Sequence, residues 1–336
     1  MSELGILRQA FMRLSGGFVI AVHDIPPQRL ADLLDGLSPA RPISLSELVQ
    51  RRKDDKSCSG LFAITVDDGV GDNVRALARL FRARGWPATF YLPTEYLDTG
   101  EPMPFQRWWW LKPLLPRKAF KLKSGMVDLS RPGAIDALSA RIERAWYCQR
   151  PEAYLPLTLE LAEAVARETT LHRRELQGPA PISWTEVEEL SHDELIGFES
   201  HGVTHTAMSA LSEEQIDFEM SISKDIVSEH TGRPCRHFCY PFGSPLSIGG
   251  IAPKVAQRYY DSAATMTLGP VAHADALLLP RIPLYPKNSL LIAWLKVLLK
   301  CTVLGSSKAA AGASTKTPMP DALPKKASGT GRFIEN

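Results

Sequence analysis

The sequence predicts an α/β fold on a parallel sheet or barrel, and three observations predict it. Short β-rich runs alternate with helical periodicity along most of the 336 residues, the rhythm of strand–helix–strand units. A composition of 44% hydrophobic and 23% charged residues is that of a globular chain long enough to bury a large core. An acidic turn, Asp67-Asp68-Gly69, follows one predicted strand and His201 follows another. In parallel α/β folds, reactive side chains sit at the C-terminal ends of strands.

Along the chain, strands are predicted at Phe18–Val22, Leu61–Val66, Ala88–Leu92, Leu195–Glu199, His237–Tyr240, Ser262–Thr265 and Leu277–Ile282. Helical periodicity marks Asn73–Arg84, Trp184–Leu190, Glu213–His230 and Ala252–Tyr259, with Ser212 placed to cap the third of these. Residues 98–181 break the rhythm. They open with Arg107-Trp108-Trp109-Trp110, continue with helical stretches at Ala134–Tyr147 and Leu157–Thr169, and are expected to form an insertion that caps the site. Leu290–Leu304 is apolar apart from Lys296 and Lys300. As a helix it reaches about 22 Å, short of a hydrocarbon core of about 30 Å. It is expected to close the barrel, with an interfacial anchor as the alternative. One domain is expected over residues 1–304, followed by a tail, 305–336, rich in Ser, Ala, Lys, Gly and Pro and expected to be disordered.

A net charge of +2 gives no electrostatic case for nucleic acid as a partner. Five cysteines (Cys58, Cys148, Cys235, Cys239, Cys301) show no zinc-ribbon spacing, and their odd number suits reduced thiols better than a disulfide framework. The first residues carry Glu3, Arg8 and Arg13 without a long apolar run. A cytoplasmic protein with no signal peptide is therefore expected.

The chemistry concentrates in three places. Asp67 and Asp68 offer two carboxylates, and His201 and His205 offer two imidazoles. Together they supply three ligands for a hydrolytic metal centre and one spare carboxylate as base. Each piece alone is explained as well by chance spacing or by the turn preference of Asp and Gly. The joint context says more: Phe198-Glu199-Ser200-His201-Gly202-Val203-Thr204-His205 is followed by Phe238-Cys239-Tyr240-Pro241-Phe242-Gly243.

At these residues the chain resembles the polysaccharide deacetylase (NodB-homology) family. Thr65-Val66-Asp67-Asp68-Gly69 is similar to the family's Thr-Phe-Asp-Asp-Gly, with Val66 for Phe. His201 to His205 matches its His-(Ser/Thr)-x-x-His, with Gly202 in the second position. Pro241-Phe242-Gly243 matches the end of its third motif, with Cys239 where an Arg is usual. The late Leu-x-His of the family is missing, whereas Val19-Ile20-Ala21-Val22-His23-Asp24 looks like the element that a circularly permuted branch places first.

The resemblance implies a distorted, incomplete (β/α) barrel with a helical insertion. It also implies a divalent ion, expected to be Zn2+, on Asp68, His201 and His205, with Asp67 as the base that takes a proton from water. The backbone N–H of Phe242 would help to stabilise the oxyanion. His23 would protonate the leaving amine, since an imidazole can carry a proton near neutrality; the bland alternative is a buried strand-end histidine bonded to Asp24. Pro241, Trp108, Trp109 and Arg281 are expected at the substrate. Arg281 either replaces the missing motif Arg by pairing with Asp67 or forms an ordinary surface salt bridge.

The implied function is a hydrolase removing N-acetyl groups from amino sugars in oligo- or polysaccharides. Between Arg107 and Lys123 lie six basic residues, no acidic ones and three consecutive Trp. Flat indoles suit sugar faces, mixed aromatic and cationic groups suit a lipid headgroup surface, and Trp residues also simply pack lids. Two alternatives follow: a deacylase or deformylase of a lipid-linked amino sugar, in peripheral contact with the inner membrane face, or a non-catalytic glycan-binding module on the same scaffold. The sugar, the acyl group and the oligomeric state are not legible in these residues.

Overall fold

The computed structural model describes residues 16–147, 151–169, 176 and 178–300; the expected tail at 305–336 lies outside these. Eight strands form one parallel sheet curled into an incomplete barrel: β1 (Phe18–Val22), β2 (Arg41–Pro42), β3 (Leu61–Val66), β4 (Ala88–Leu92), β7 (Ile196–Ser200), β8 (His237–Cys239), β9 (Ser262–Ala264) and β10 (Ile282–Pro283). Their order is β10-β1-β3-β4-β7-β8-β9, with β2 beside the start of β3. Every residue of β1, β3 and β4 is buried, which is why these segments read as continuous apolar runs rather than alternating ones.

Helices cover the sheet: α1 (Pro27–Asp35), α2 (Leu45–Lys53), α3 (Gly71–Arg84), α8 (Trp184–Ser191), α9 (Glu213–Thr231), the short α10 (Pro245–Ile248) and α11 (Ala252–Ala256), and α12 (Leu290–Lys300). Local chemistry sets their ends. Ser212 and Gln215 form a capping box at the start of α9, and Gly232 ends that helix in the left-handed region at φ 64°. In α12, Ala293, Trp294 and Val297 are buried, and the Trp294 indole donates to the Gly36 carbonyl at the end of α1. This helix packs against the barrel core, residues 301–304 of the expected segment lie outside the described residues, and among the described residues no helix is long and apolar enough to cross a membrane.

The strand expected at 277–282 is broken. Residues 276–278 form a 3-10 turn capped by the Asp275 carboxylate, and only Ile282–Pro283 pairs with β1. Pro280 brings no N–H to a ladder. The segment still bridges two edges, because Leu279 exchanges backbone hydrogen bonds with Ala263 and Thr265 while the Leu284 N–H reaches the Ala21 carbonyl. Arg281 thereby sits between the two edges of the sheet.

Between β4 and β7 the chain leaves the barrel through α4 (Thr94–Thr99), α5 (Pro104–Leu111), the hairpin of β5 (Ala119–Leu122) with β6 (Gly125–Asp128), α6 (Ala134–Tyr147) and α7 (Pro151–Glu168). This excursion has its own core, including Trp108, Phe120, Ile142, Leu161 and Val165. It returns by pairing with the acidic turn, where the Ile182 N–H donates to the Gly69 carbonyl and the Gly71 N–H to that of Ala180.

Candidate active site

Because the strands are parallel, their C-terminal ends share one rim, and residues that are distant in sequence become neighbours there. Val22 lies opposite Val66 in the register, so His23 and Asp67 leave adjacent strands side by side. Leu92 pairs with Ser200, and Ser200 with Phe238, which brings His201 and the 239–242 loop to the same rim. A cavity of about 720 Å3 opens over these ends, lined by His23, Asp67, Asp68, His201, His205, Phe242 and Arg281 among others.

Three non-glycine residues on this rim have left-handed backbones: Asp68 at φ 73°, His205 at 54° and Phe242 at 62°. Such conformations cost free energy and gather at functional sites, where the surrounding structure enforces them. The enforcement is visible beneath His201 and His205. Glu219 of α9, itself buried, accepts the N–H of Val203 at 2.7 Å, the N–H of Thr204 at 3.0 Å and the Thr204 hydroxyl at 2.5 Å. A Cβ on Gly202 would lie 2.9 Å from the same Glu219 carboxylate, and φ there is +81°. That contact gives a local reason for glycine where the family motif has Ser or Thr.

Asp68 Oδ1 lies 3.6 Å from His201 Nε2 and 3.5 Å from His205 Nε2. These separations are longer than good hydrogen bonds. They match donors that share one centre, since ligands about 2.1 Å from a tetrahedral ion are about 3.4 Å apart. The His201 Nδ1 is engaged with the Cys239 carbonyl at 2.7 Å, which leaves Nε2 as the ligating nitrogen, as outer partners of metal-bound histidines do. Burial, together with the neighbouring His201, pushes His205 down to about 3, so its ring is neutral and its lone pair available. The donor set therefore fits a divalent ion. Asp67, His201 and Cys239 form a second cluster of possible ligands, but Asp67 is committed elsewhere.

Its partner is Arg281. The guanidinium reaches Asp67 Oδ1 at 2.7 Å and Oδ2 at 2.8 Å in a two-pronged pair, with both side chains buried. It also donates to the Thr65 hydroxyl at 3.1 Å, the Thr265 carbonyl at 2.9 Å and Cys239 Sγ at 3.0 Å. Burial alone would raise the Asp67 carboxyl; the Arg281 charge outweighs it and holds Asp67 well below the usual carboxylate range. Asp68 is likewise lowered, burial being outweighed by the close His201 imidazole and by the neighbouring His23. The surface salt bridge considered for Arg281 is excluded, since this residue is 1% exposed. It meets Asp67 through two hydrogen bonds, whatever it also offers to a ligand in the cavity it lines.

The remaining sequence candidates divide. His23 keeps 39% of its side chain exposed, with Nε2 3.5 Å from Asp67 Oδ2, so the alternative of a buried histidine does not hold. Phe242 lines the cavity, whereas the neighbouring Pro241 is buried and is not among the lining residues. Trp109 lines the cavity, but Trp108 does not: it is fully buried in the insertion's core, its indole N–H donating to Ser139 Oγ at 3.0 Å. Successive residues of a helix point about 100° apart, so three consecutive Trp cannot share one face. Trp110, Phe105, Glu143 and Tyr285 also line the cavity. The Trp run signalled the first of these in the sequence, while the other three carried no local signal.

The polysaccharide deacetylase family model matches residues 54–257, more than half of the chain. Among solved structures, the deacetylase PplD of Streptococcus pyogenes, in complex with acetate, is similar at a TM-score of 0.54 and 13% identity over 84% of this chain and 97% of that one. A polysaccharide deacetylase of Bacillus cereus gives 0.51 and 13% identity, covering 84% of this chain and 68% of the other. The BpsB deacetylase domain of Bordetella bronchiseptica gives 0.50 and 15%, covering 80% and 95%. At such identities these structures speak to the fold alone. No curated protein sequence matches the chain.

Proposed function

The chain belongs to the polysaccharide deacetylase family, and from that premise we propose that it is a metal-dependent hydrolase removing N-acetyl groups from amino sugars in oligo- or polysaccharides. The observation that carries the proposal is the convergence of Asp68, His201 and His205 beside a separately paired Asp67. Asp68, His201 and His205 would hold the ion, and zinc suits two imidazoles with one carboxylate. When bound, such an ion supplies Lewis acidity that brings water's pKa down to about 7.

The chain's own residues supply the proton handling. Asp67, kept ionised by Arg281, takes the proton of the attacking water; its weak basicity is sufficient only for water already acidified. As the water oxygen bonds to the acetamide carbon, the backbone N–H of Phe242, a residue that lines the cavity, donates to the developing oxyanion. His23, beside Asp67 and open to solvent, gives its proton to the amine nitrogen as the C–N bond breaks and acetate leaves. Arg281 stands in for the Arg usual at the position of Cys239, reaching Asp67 from the 279–284 segment instead of from β8. The strand of His23 precedes that of Asp67 in the chain yet pairs with it in the sheet, which supports assignment to the permuted branch.

Acetate release from N-acetylglucosamine oligomers tests the proposal. Asp67→Asn should lower turnover on the order of a thousandfold while binding of the oligomer persists. Release by neither protein, with binding intact, would support a glycan-binding module instead, and equal release by both would remove Asp67 from the role of base. His23→Ala should slow amide substrates more than activated acetate esters, whose leaving groups need little protonation; a uniform loss would remove His23 from the proton path.

A second reading rests on exposed apolar side chains: Trp109, Trp110 and Tyr285, which line the cavity, and Leu291, Ile292 and Leu295 on α12. These suit a lipid-linked amino sugar presented at a membrane surface. Co-flotation with anionic vesicles would favour it, and a protein that ignores both vesicles and lipid-linked sugars would eliminate it.

A further inference from the structure

The lid supplies a carboxylate to the cavity that the hydrolytic step does not use. Glu143, on α6, lines the cavity and is half-buried. Its Oε1 accepts the Ser139 hydroxyl at 2.7 Å, and Ser139 Oγ in turn accepts the Trp108 indole N–H at 3.0 Å. An indole can only donate, so the direction of this relay is set: the Ser139 proton must point at Glu143. Trp108 and Ser139 are 0% and 2% exposed. Two side chains in the lid's core therefore hold the position of one carboxylate at the cavity wall. An ordinary solvated surface acid needs no such mounting.

The rest of the lining has a matching bias. Among the described residues that line the cavity the acids are Asp24, Asp67, Asp68 and Glu143, and the one Lys or Arg is Arg281, whose charge faces Asp67. Among the described residues of this wall, a ligand group carrying carboxylate or phosphate would find no uncommitted lysine or arginine. Hydroxyl or ammonium donors would find an anchored acceptor.

We propose that Glu143 is a specificity-determining residue, accepting hydrogen bonds from hydroxyl or ammonium groups of the glycan unit beneath the lid and disfavouring glycans that are anionic there. The inference rests on the reading of the cavity as a deacetylase site. Ser139 acts as a positioning residue through Glu143.

The test measures calorimetric affinity and acetate-release kinetics for wild type, Glu143→Gln and Ser139→Ala, with melting temperatures to confirm folding. The probes are a neutral N-acetylglucosamine pentamer, the cationic glucosamine pentamer and a carboxylate-bearing hyaluronate oligomer. Wild type should bind the anionic probe about tenfold more weakly than the neutral one. Glu143→Gln should raise Kd and KM for the neutral probe about three- to tenfold, leave kcat within about twofold, and narrow the gap to the anionic probe. Ser139→Ala should move the same quantities by less. A larger loss with the glucosamine pentamer than with the acetylated one identifies ammonium as the donor, and equal losses identify hydroxyls. Glu143→Gln binding all three probes like wild type, or wild type binding none, overturns the inference. Affinities that shift as expected without acetate release from wild type would retain the recognition role and defeat the hydrolase reading.

Discussion

The cavity floor and its lid present different side chains to the cavity under opposite conditions. On the floor, Asp67, Asp68, His201, His205 and Arg281 are each no more than 8% exposed, and Asp67 and Arg281 satisfy one another. On the lid, Trp109 and Trp110 are 53% and 47% exposed, while Trp108 is sealed into a core separate from that of the barrel. Buried charges interact strongly and tolerate little displacement, so strand ends fix the reacting groups. A module with its own core can vary the wall facing the ligand without disturbing them. On the proposed reading, the floor carries the chemistry and the lid the selection.

The largest expected effect lies on the floor. His205→Ala should abolish stoichiometric metal, measured by elemental analysis, and turnover with it; a variant that keeps both would remove His205 from the ligand set. Asp67→Asn should retain the metal, and loss of metal there would undo the division between the two carboxylates.

Arg281→Met comes next. In the native protein Asp67 is lowered by Arg281, so its contribution to stability is full above the ordinary carboxylate value of about 3.9 and is lost as the pH falls below it. Without Arg281, burial, which raises the carboxyl, is opposed only by His23 and His201 and should outweigh them. The sign then reverses: stability should decline as pH rises above about 4, and the acid limb of the turnover profile should move to higher pH. An unshifted profile would mean that Arg281 does not govern Asp67.

Smaller effects separate support from contact. Glu219→Gln should loosen the His201–His205 loop and weaken metal affinity about tenfold or more, as loss of an outer partner does, read by competition with a chelator. In the lid, Trp108→Ala should cost about 3–5 kcal/mol in chemical denaturation. Trp109→Ala should shift stability by no more than about 0.5 kcal/mol yet raise KM a few-fold. Equal behaviour of the two Trp variants would erase the distinction between lid core and lid wall.

Much of this arrangement was legible in the chain. Six of the seven expected strands are present to within two residues, because runs such as Leu61–Val66 are buried on both faces and carry their periodicity openly. Asp67 and His201 were identifiable because each immediately follows a strand, and Asp68 because it is the next residue of the same turn. Harder to see were α1 and α2, β2 and the β5–β6 hairpin, which are short or weakly patterned. Glu143 and Glu219 were invisible, since a carboxylate on an amphipathic helix looks the same whether it meets solvent, a cavity or a loop.

What the sequence by itself determined is the local part: the strands, the capping of α9 by Ser212, the acidic turn and the family to which these motifs are similar. Those features depend on residues a few positions apart, whose preferences are written side by side. Tertiary structure alone decided that Arg281 pairs with Asp67 across 214 positions, that Glu219 supports the His201–His205 loop, and that Trp109 faces the cavity while Trp108 does not. Such pairings depend on which strand ends the curled sheet brings together and on how the lid folds back over them, and no local pattern encodes either.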